Sequence, residues 1–314
     1  MKRWVPIVAV VPLLAVVLGV GRVGAASGSR VRSSMASPGY WLVTAAGTTY
    51  AFNAPDLARS SYENISASDC GNGPGPPIPS VIACTGISAT ADGQGYWVGE
   101  SAYFVLHGVG QYAVEGIPQG SVGGNCTIGP VSAGLYLPAP TAGIAAAPVG
   151  VWLATADGGV FAGCGAPFYG SMGGTRLNQG IVGLAATPDG KGYWEVARDG
   201  GVFAFGDAGF YGSMAAAPLN EPIVGMTATQ DGKGYWLVAS DGGVFSFGDA
   251  QFDGSMGGTP LRAPMTGIAR NPDGTGYWTV AADGGVFAFG DAPFLGSEGG
   301  QPLHAGVVGI ASRA

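Results

Sequence analysis

Histidine is nearly absent from this 314-residue chain, which carries His107 and His304 alone. Charge is scarce as well, at 11% of residues, and it is lopsided: twenty acidic side chains face thirteen basic ones. A net-acidic protein repels phosphate backbones and anionic lipid, which excludes nucleic acid and membrane surfaces as expected partners. The four cysteines contain no C-x-x-C pair, which removes the usual zinc and dithiol-redox spacings. A G-x-G-x-x-G followed by a helix, G-K-[ST] and G-x-S-x-G are missing too, so there is neither a phosphate-cradling loop nor a nucleophile elbow. The aspartates never reach the D-x-D-x-D-G density of a calcium loop. Neither a cofactor nor a metal is expected.

Long apolar runs are also lacking, with one exception. Lys2 and Arg3 precede a continuous apolar stretch from Trp4 to Val20, and small residues follow at Gly24, Ala25 and Ala26. That order predicts a secretory signal peptide over residues 1–26, followed by a small, polar, flexible leader over 27–38. Removing Lys2, Arg3 and Arg22 leaves ten basic residues against twenty acidic. The expected location is outside the cell or at its surface, with no membrane association after cleavage, and the expected state is a monomer.

What the chain does have is glycine, at 59 residues, and a repeat. Seventeen residues, GYWLVASDGGVFSFGDA at Gly234–Ala250, have close copies at Gly192–Ala208 and Gly276–Ala292. Trp152, Trp194, Trp236 and Trp278 are spaced by 42 residues, and looser copies surround Trp41 and Trp97. A period in the forties signals a propeller or an array.

Each unit reads as four short strands. Around Trp236 they are A (Ile223–Thr229), B (Gly234–Ser240), C (Val244–Gly248) and an outer D (Phe252–Met256). Asp241-Gly242-Gly243 supplies the positive φ that a tight B–C hairpin needs. Strand A is poor in bulk and B and C are aromatic, as expected where blades crowd at an axis and diverge outward. Strand A occurs six times, but the first strand B (Gly39–Thr44) has none before it and the last A (Val307–Ser312) has no B after it. The expected fold is therefore an all-β, six-bladed β-propeller over residues 39–314. Its blades have four antiparallel strands, and the C-terminal strand pairs with the N-terminal blade to close the ring, removing two sheet edges.

The GYWLVASDGGVFSFGDA–FYGS–IVG–PDG register resembles the tandem repeats of secreted actinobacterial proteins of β-propeller type, over residues 39–312. That resemblance implies an extracellular repeat scaffold and transfers no catalytic residue. A looser similarity, to tectonin-type lectin propellers, rests on the order of Trp and Asp-Gly.

Departures from the repeat mark the candidate functional residues. Insertions at Tyr62–Pro79, Glu100–Val109 and Asn125–Pro140 fall in D–A and B–C loops, which leave a meander on the same face. They place Glu63, Asp69, Glu100, Tyr103 and Tyr136 as candidate ligand-facing residues. Arg270 replaces an alanine of strand A; it either pairs with an acid at a blade edge or lines the central channel. Glu195 and Arg198 interrupt one strand B, with an Arg–acid pair again expected. Repeated aspartates read as turn formers. Cys70 and Cys84 share one face, and bridging them would close a 15-residue loop worth ~3 kcal/mol; Cys126 and Cys164 are left to pair.

No acid and base groups converge in the repeat, so the expected function is a non-catalytic binding or structural module with a protein or glycan partner. Two alternatives stay open: an extracellular hydrolase or lyase drawing on Glu100, Glu115, Glu195 or Glu221, and a lectin-like carbohydrate binder. The latter predicts the same aromatic and polar residues on several equivalent rims.

Overall fold

The computed structural model describes residues 38–46, 48–54, 81–90, 96–106, 109–113, 116–119 and 139–313. Among them there is no helix, and nineteen strands form six antiparallel sheets. The first joins β1 (Tyr40–Thr44) and β2 (Thr49–Phe52) to the C-terminal β19 (Val307–Ser312), in the order β19-β1-β2. The second contains β3 (Val81–Ala89), β4 (Tyr96–Leu106), β5 (Val109–Ala113) and β6 (Gly116–Gln119). Then come β7 (Thr141–Ala146), β8 (Val151–Thr155) and β9 (Val160–Gly163), followed by β10 (Ile181–Ala186), β11 (Gly192–Ala197) and β12 (Val202–Gly206). The last two sheets are β13 (Ile223–Ala228), β14 (Gly234–Ala239), β15 (Val244–Gly248) and β16 (Met265–Arg270), β17 (Gly276–Ala281), β18 (Val286–Gly290).

The expected pairing of the chain ends is present. Tyr40 lies opposite Ser312, Trp41 opposite Ala311 and Leu42 opposite Ile310. The first strand of each sheet packs on the first strand of the next: β3 on β7, then β10, β13, β16 and β19, and β19 again on β3. Glycine permits this approach. A Cβ on Gly143 would lie 2.7 Å from the Leu184 nitrogen, and one on Gly309 would lie 3.4 Å from the Ile87 nitrogen. The small-residue character of strand A thus answers a backbone-to-backbone contact.

One strand outward, aromatic side chains fill the space between sheets. Trp152, Trp194, Trp236 and Trp278 are at most 2% exposed. Each stacks at an angle on a tyrosine of the following sheet, with centroids 5.1–5.7 Å apart: Tyr193, Tyr235, Tyr277 and Tyr40. Trp41 does the same with Tyr96 at 5.6 Å. Such tilted pairs add to the burial of large apolar area. Val151 stands where the other units have this tyrosine, and it clusters with Trp97, Ile144 and Leu153.

Two expectations need correction. Among the described residues the outer strand D does not form: Phe252–Met256 is irregular, as are 168–172, 210–214 and 294–298. These segments are engaged elsewhere. The Tyr193, Tyr235, Tyr277 and Tyr40 hydroxyls donate to the carbonyls of Gly170, Gly212, Gly254 and Gly296 at 2.5–2.6 Å. Met214 and Met256 donate backbone N–H to Gly200 and Gly242 in their own sheet's hairpin turn. A segment shared between two sheets cannot extend the edge of one. The sheets therefore have three strands, except the second, which has four. Also, Glu100–Leu106 is no loop: it continues β4, which pairs with β6 over Tyr96–Gly99 and with β5 over Ala102–Leu106.

Aspartates hold the turns, as expected. The Asp199, Asp241 and Asp283 Oδ1 atoms accept from the N–H of Gly201, Gly243 and Gly285. At the other end of the sheets, Asp189 and Asp231 accept from Thr187 and Thr229 and pair with Lys191 and Lys233 at 2.9 and 3.0 Å. Hydrogen bonding to those lysines lowers both carboxyl pKa values to about 2.

Candidate functional site

The first strands of the sheets end around a common cavity of about 310 Å³. Ile87, Ile144, Leu184, Met226, Ile268 and Ile310, one from each sheet, line it and are 6–8% exposed. Two residues further along each strand come Ala89, Ala146, Ala186, Ala228, Arg270 and Ser312. Five of these six are small; Arg270 is the only charged lining residue among those described.

Three of the other polar side chains there are engaged in the fold. Ser88 Oγ accepts from the Ala146 N–H at 2.9 Å. Thr187 and Thr229 each accept from the amide that opens the next strand and donate into their turn. Among the described residues Arg270 makes one hydrogen bond, from Nη1 to the Pro272 carbonyl at 3.3 Å. No described acid pairs with it. Burial alone lowers its pKa from the ordinary guanidinium value. Of the two placements expected for Arg270, the structure has the cavity-lining one.

Glu195 is the second departure, and it has no arginine partner. It occupies the position held by Leu42, Leu153, Leu237 and Thr279 in other sheets and is 0% exposed. Its Oε2 accepts from the Met172 N–H at 3.3 Å, while Oε1 has no hydrogen-bond partner. Burial, reinforced by the charge of Asp157, pushes its pKa up to about 8. A carboxyl sealed in this way reaches no substrate.

The remaining candidates do not converge. Glu63, Asp69 and Tyr136 lie outside the described residues, as do His107, Cys70 and Cys126. Glu100 lies opposite Cys84 in the β3–β4 ladder, and Tyr103 lies opposite Val81. Both belong toward the far end of their sheet from the cavity, because Arg270 ends β16 whereas Cys84 sits early in β3. Arg270 therefore lies toward the other end of the sheets from Glu100 and Tyr103. Cys84 and Cys164 are not free thiols. Among the described residues no cluster of His, Cys, Asp or Glu could hold a metal ion.

Sequence reasoning missed one surface. Phe168, Phe210, Phe252 and Phe294 occupy equivalent places in four units and are 57–63% exposed. Their 42-residue spacing was legible, but membership of a strand D would have hidden them. Phe210 flanks a cleft of about 320 Å³ with Arg176, Asn178, Gln179, Asp199 and Ser213. No protein-family model and no curated protein matches the chain.

Proposed function

We propose that this chain is a secreted, six-bladed β-propeller that acts as a non-catalytic binding module. The cyclic packing of the inner strands, including β19 on β3, supports the blade count. The β19–β1 pairing supplies the closing blade. The observation that carries the functional reading is how the polar side chains are used. Repeated aspartates hold turns, repeated tyrosine hydroxyls hold backbone carbonyls, and Glu195 is buried. A hydrolase or lyase needs an acid and a base within reach of one substrate. The partner is a protein or a glycan, docking on the face that carries the B–C and D–A connections of the first units. Cys70–Cys84 and Cys126–Cys164 are the proposed disulfides, checked by mass spectrometry of non-reduced peptides; a Cys84–Cys126 link overturns them. The secreted chain, applied to a glycan array and a panel of glycoside and polysaccharide substrates, should bind without turnover. Turnover that survives purification overturns the reading.

A lectin-like version is favoured by the four exposed phenylalanines. Aromatic faces at equivalent positions, one beside a polar cleft, suit repeated contact with a chain-like ligand. Changing all four to serine should then abolish retention on any glycan that the parent binds, whereas unaltered retention removes this version.

A further inference from the structure

We propose that the cavity at the ends of the inner strands binds a small organic carboxylate, held by the Arg270 guanidinium. This site lies at the opposite end of the sheets from the face assigned to a macromolecular partner and does not depend on that assignment.

The argument begins with the cost of Arg270. Positions equivalent to it carry alanine in four sheets and serine in one. Alanine therefore satisfies the fold there, and an arginine brings a desolvated charge that nothing described neutralises. Even a half-buried cation without a counter-charge is unfavourable. Five N–H donors meet one protein acceptor, the Pro272 carbonyl. The missing component is an anion with two acceptor oxygens in a plane, which a guanidinium recognises by a bidentate pair of charge-assisted bonds.

The surroundings select among anions. The walls combine alanines, prolines Pro148 and Pro188 and the aliphatic side chains from each inner strand with six serine and threonine residues, of which Ser88, Thr187 and Thr229 spend their hydroxyls on the fold. Inorganic phosphate or sulfate would surrender strongly held water to these walls and recover one arginine. A carboxylate on a short carbon frame presents its oxygens to Arg270 and its apolar part to the alanines. About 310 Å³ is at the lower end of the range for small-molecule sites, which limits the ligand to a few carbons or a single ring. The inner strands pair on one side only, so their other edge adds backbone donors for a polar substituent.

The test uses the whole secreted chain, with acetate, butanoate, benzoate, inorganic phosphate and sulfate titrated by calorimetry at constant ionic strength. Butanoate or benzoate should bind with one-to-one stoichiometry and more tightly than acetate. Arg270→Ala and Arg270→Gln should each weaken binding at least tenfold, and Arg270→Lys should weaken it less. Near-UV circular dichroism is the folding control, and Arg270→Ala reproduces what four other sheets already carry. The proposal is overturned if no carboxylate binds the parent at 50 mM, a generous ceiling of about −1.8 kcal/mol. It is equally overturned if binding survives in folded Arg270→Gln, or if phosphate or sulfate binds more tightly than the carboxylates.

Discussion

At the inner strands, Gly143, Gly183, Gly225, Gly267 and Gly309 leave the neighbouring backbone 2.7–3.6 Å from where a Cβ would be. One strand outward, Trp152, Trp194, Trp236 and Trp278 fill the gap to the next sheet. The two layers use opposite residue sizes because wedge-shaped sheets converge inside and diverge outside. The difference lies in tolerance. At Gly143 the inner layer has no slack, since the obstacle is backbone 2.7 Å away, whereas the middle layer can trade one side chain for another. Val151 replaces a tyrosine there, and Glu195 and Thr279 replace leucine.

Four experiments would break or sharpen that contrast, from the largest expected effect down. Removing Val307–Ala314 strips β1 of its partner and β3 and β16 of a neighbour. The shortened chain should lose its cooperative melting transition in calorimetry; retention of a transition near the full-length temperature would show that the seam is dispensable.

Gly143→Val should destabilise by at least about 3 kcal/mol in urea unfolding, in the range of severe overpacking, because the obstacle is the Leu184 backbone and not a movable side chain. A loss below 1 kcal/mol, on the same overpacking scale, would mean that the inner layer has the slack denied to it here.

Glu195 tests the middle layer through pH. Unfolded, its carboxyl ionises near 4.5; folded, burial holds it near 8. The folded chain therefore retains a proton that the unfolded chain releases. Between those values stability falls as pH rises, by up to about 1.4 kcal/mol per unit, and then levels off. Glu195→Leu, which restores the residue used in other sheets, should flatten that slope and raise the melting temperature more at pH 8 than at pH 5. Parallel pH profiles for the two proteins would place the carboxyl in water.

The smallest effect concerns the cross-sheet bonds. Tyr235→Phe leaves the Gly212 carbonyl without its 2.5 Å donor but keeps the ring stacked on Trp194, so about 1–2 kcal/mol should be lost in chemical denaturation.

Much of this fold is readable in the sequence because its determinants are local. Asp-Gly-Gly fixes the hairpins of the four regular units within a few residues, and the three regular inner strands end within one residue of where their pattern stops. The unmatched strands at the two ends find each other because each lacks a partner. What escaped had distant or unusual partners. Phe252–Met256 alternates like a strand, but its Gly254 carbonyl is held by Tyr277 of the next sheet, 23 residues on. The Glu100–Val109 segment mixes charge and aromatics and reads as a loop, yet its residues as far as Leu106 continue β4. Glu195 was legible as an exception but not as a buried one, since an acid in a strand ordinarily faces water or a cation. Arg270 was more transparent, because a bulky charge in a column of alanines has few places to go other than the space they leave.

The β19–β1 seam also determines how the molecule answers to force. Tyr40 lies opposite Ser312, and the Arg313 N–H donates to the Gly39 carbonyl. The ends of the folded chain thus emerge side by side at one end of an antiparallel ladder. Tension applied between them loads those hydrogen bonds one at a time, peeling the ladder open like a zipper instead of shearing it as a whole. Under a pull from its termini the protein should part first at this join, while the regular sheets remain intact.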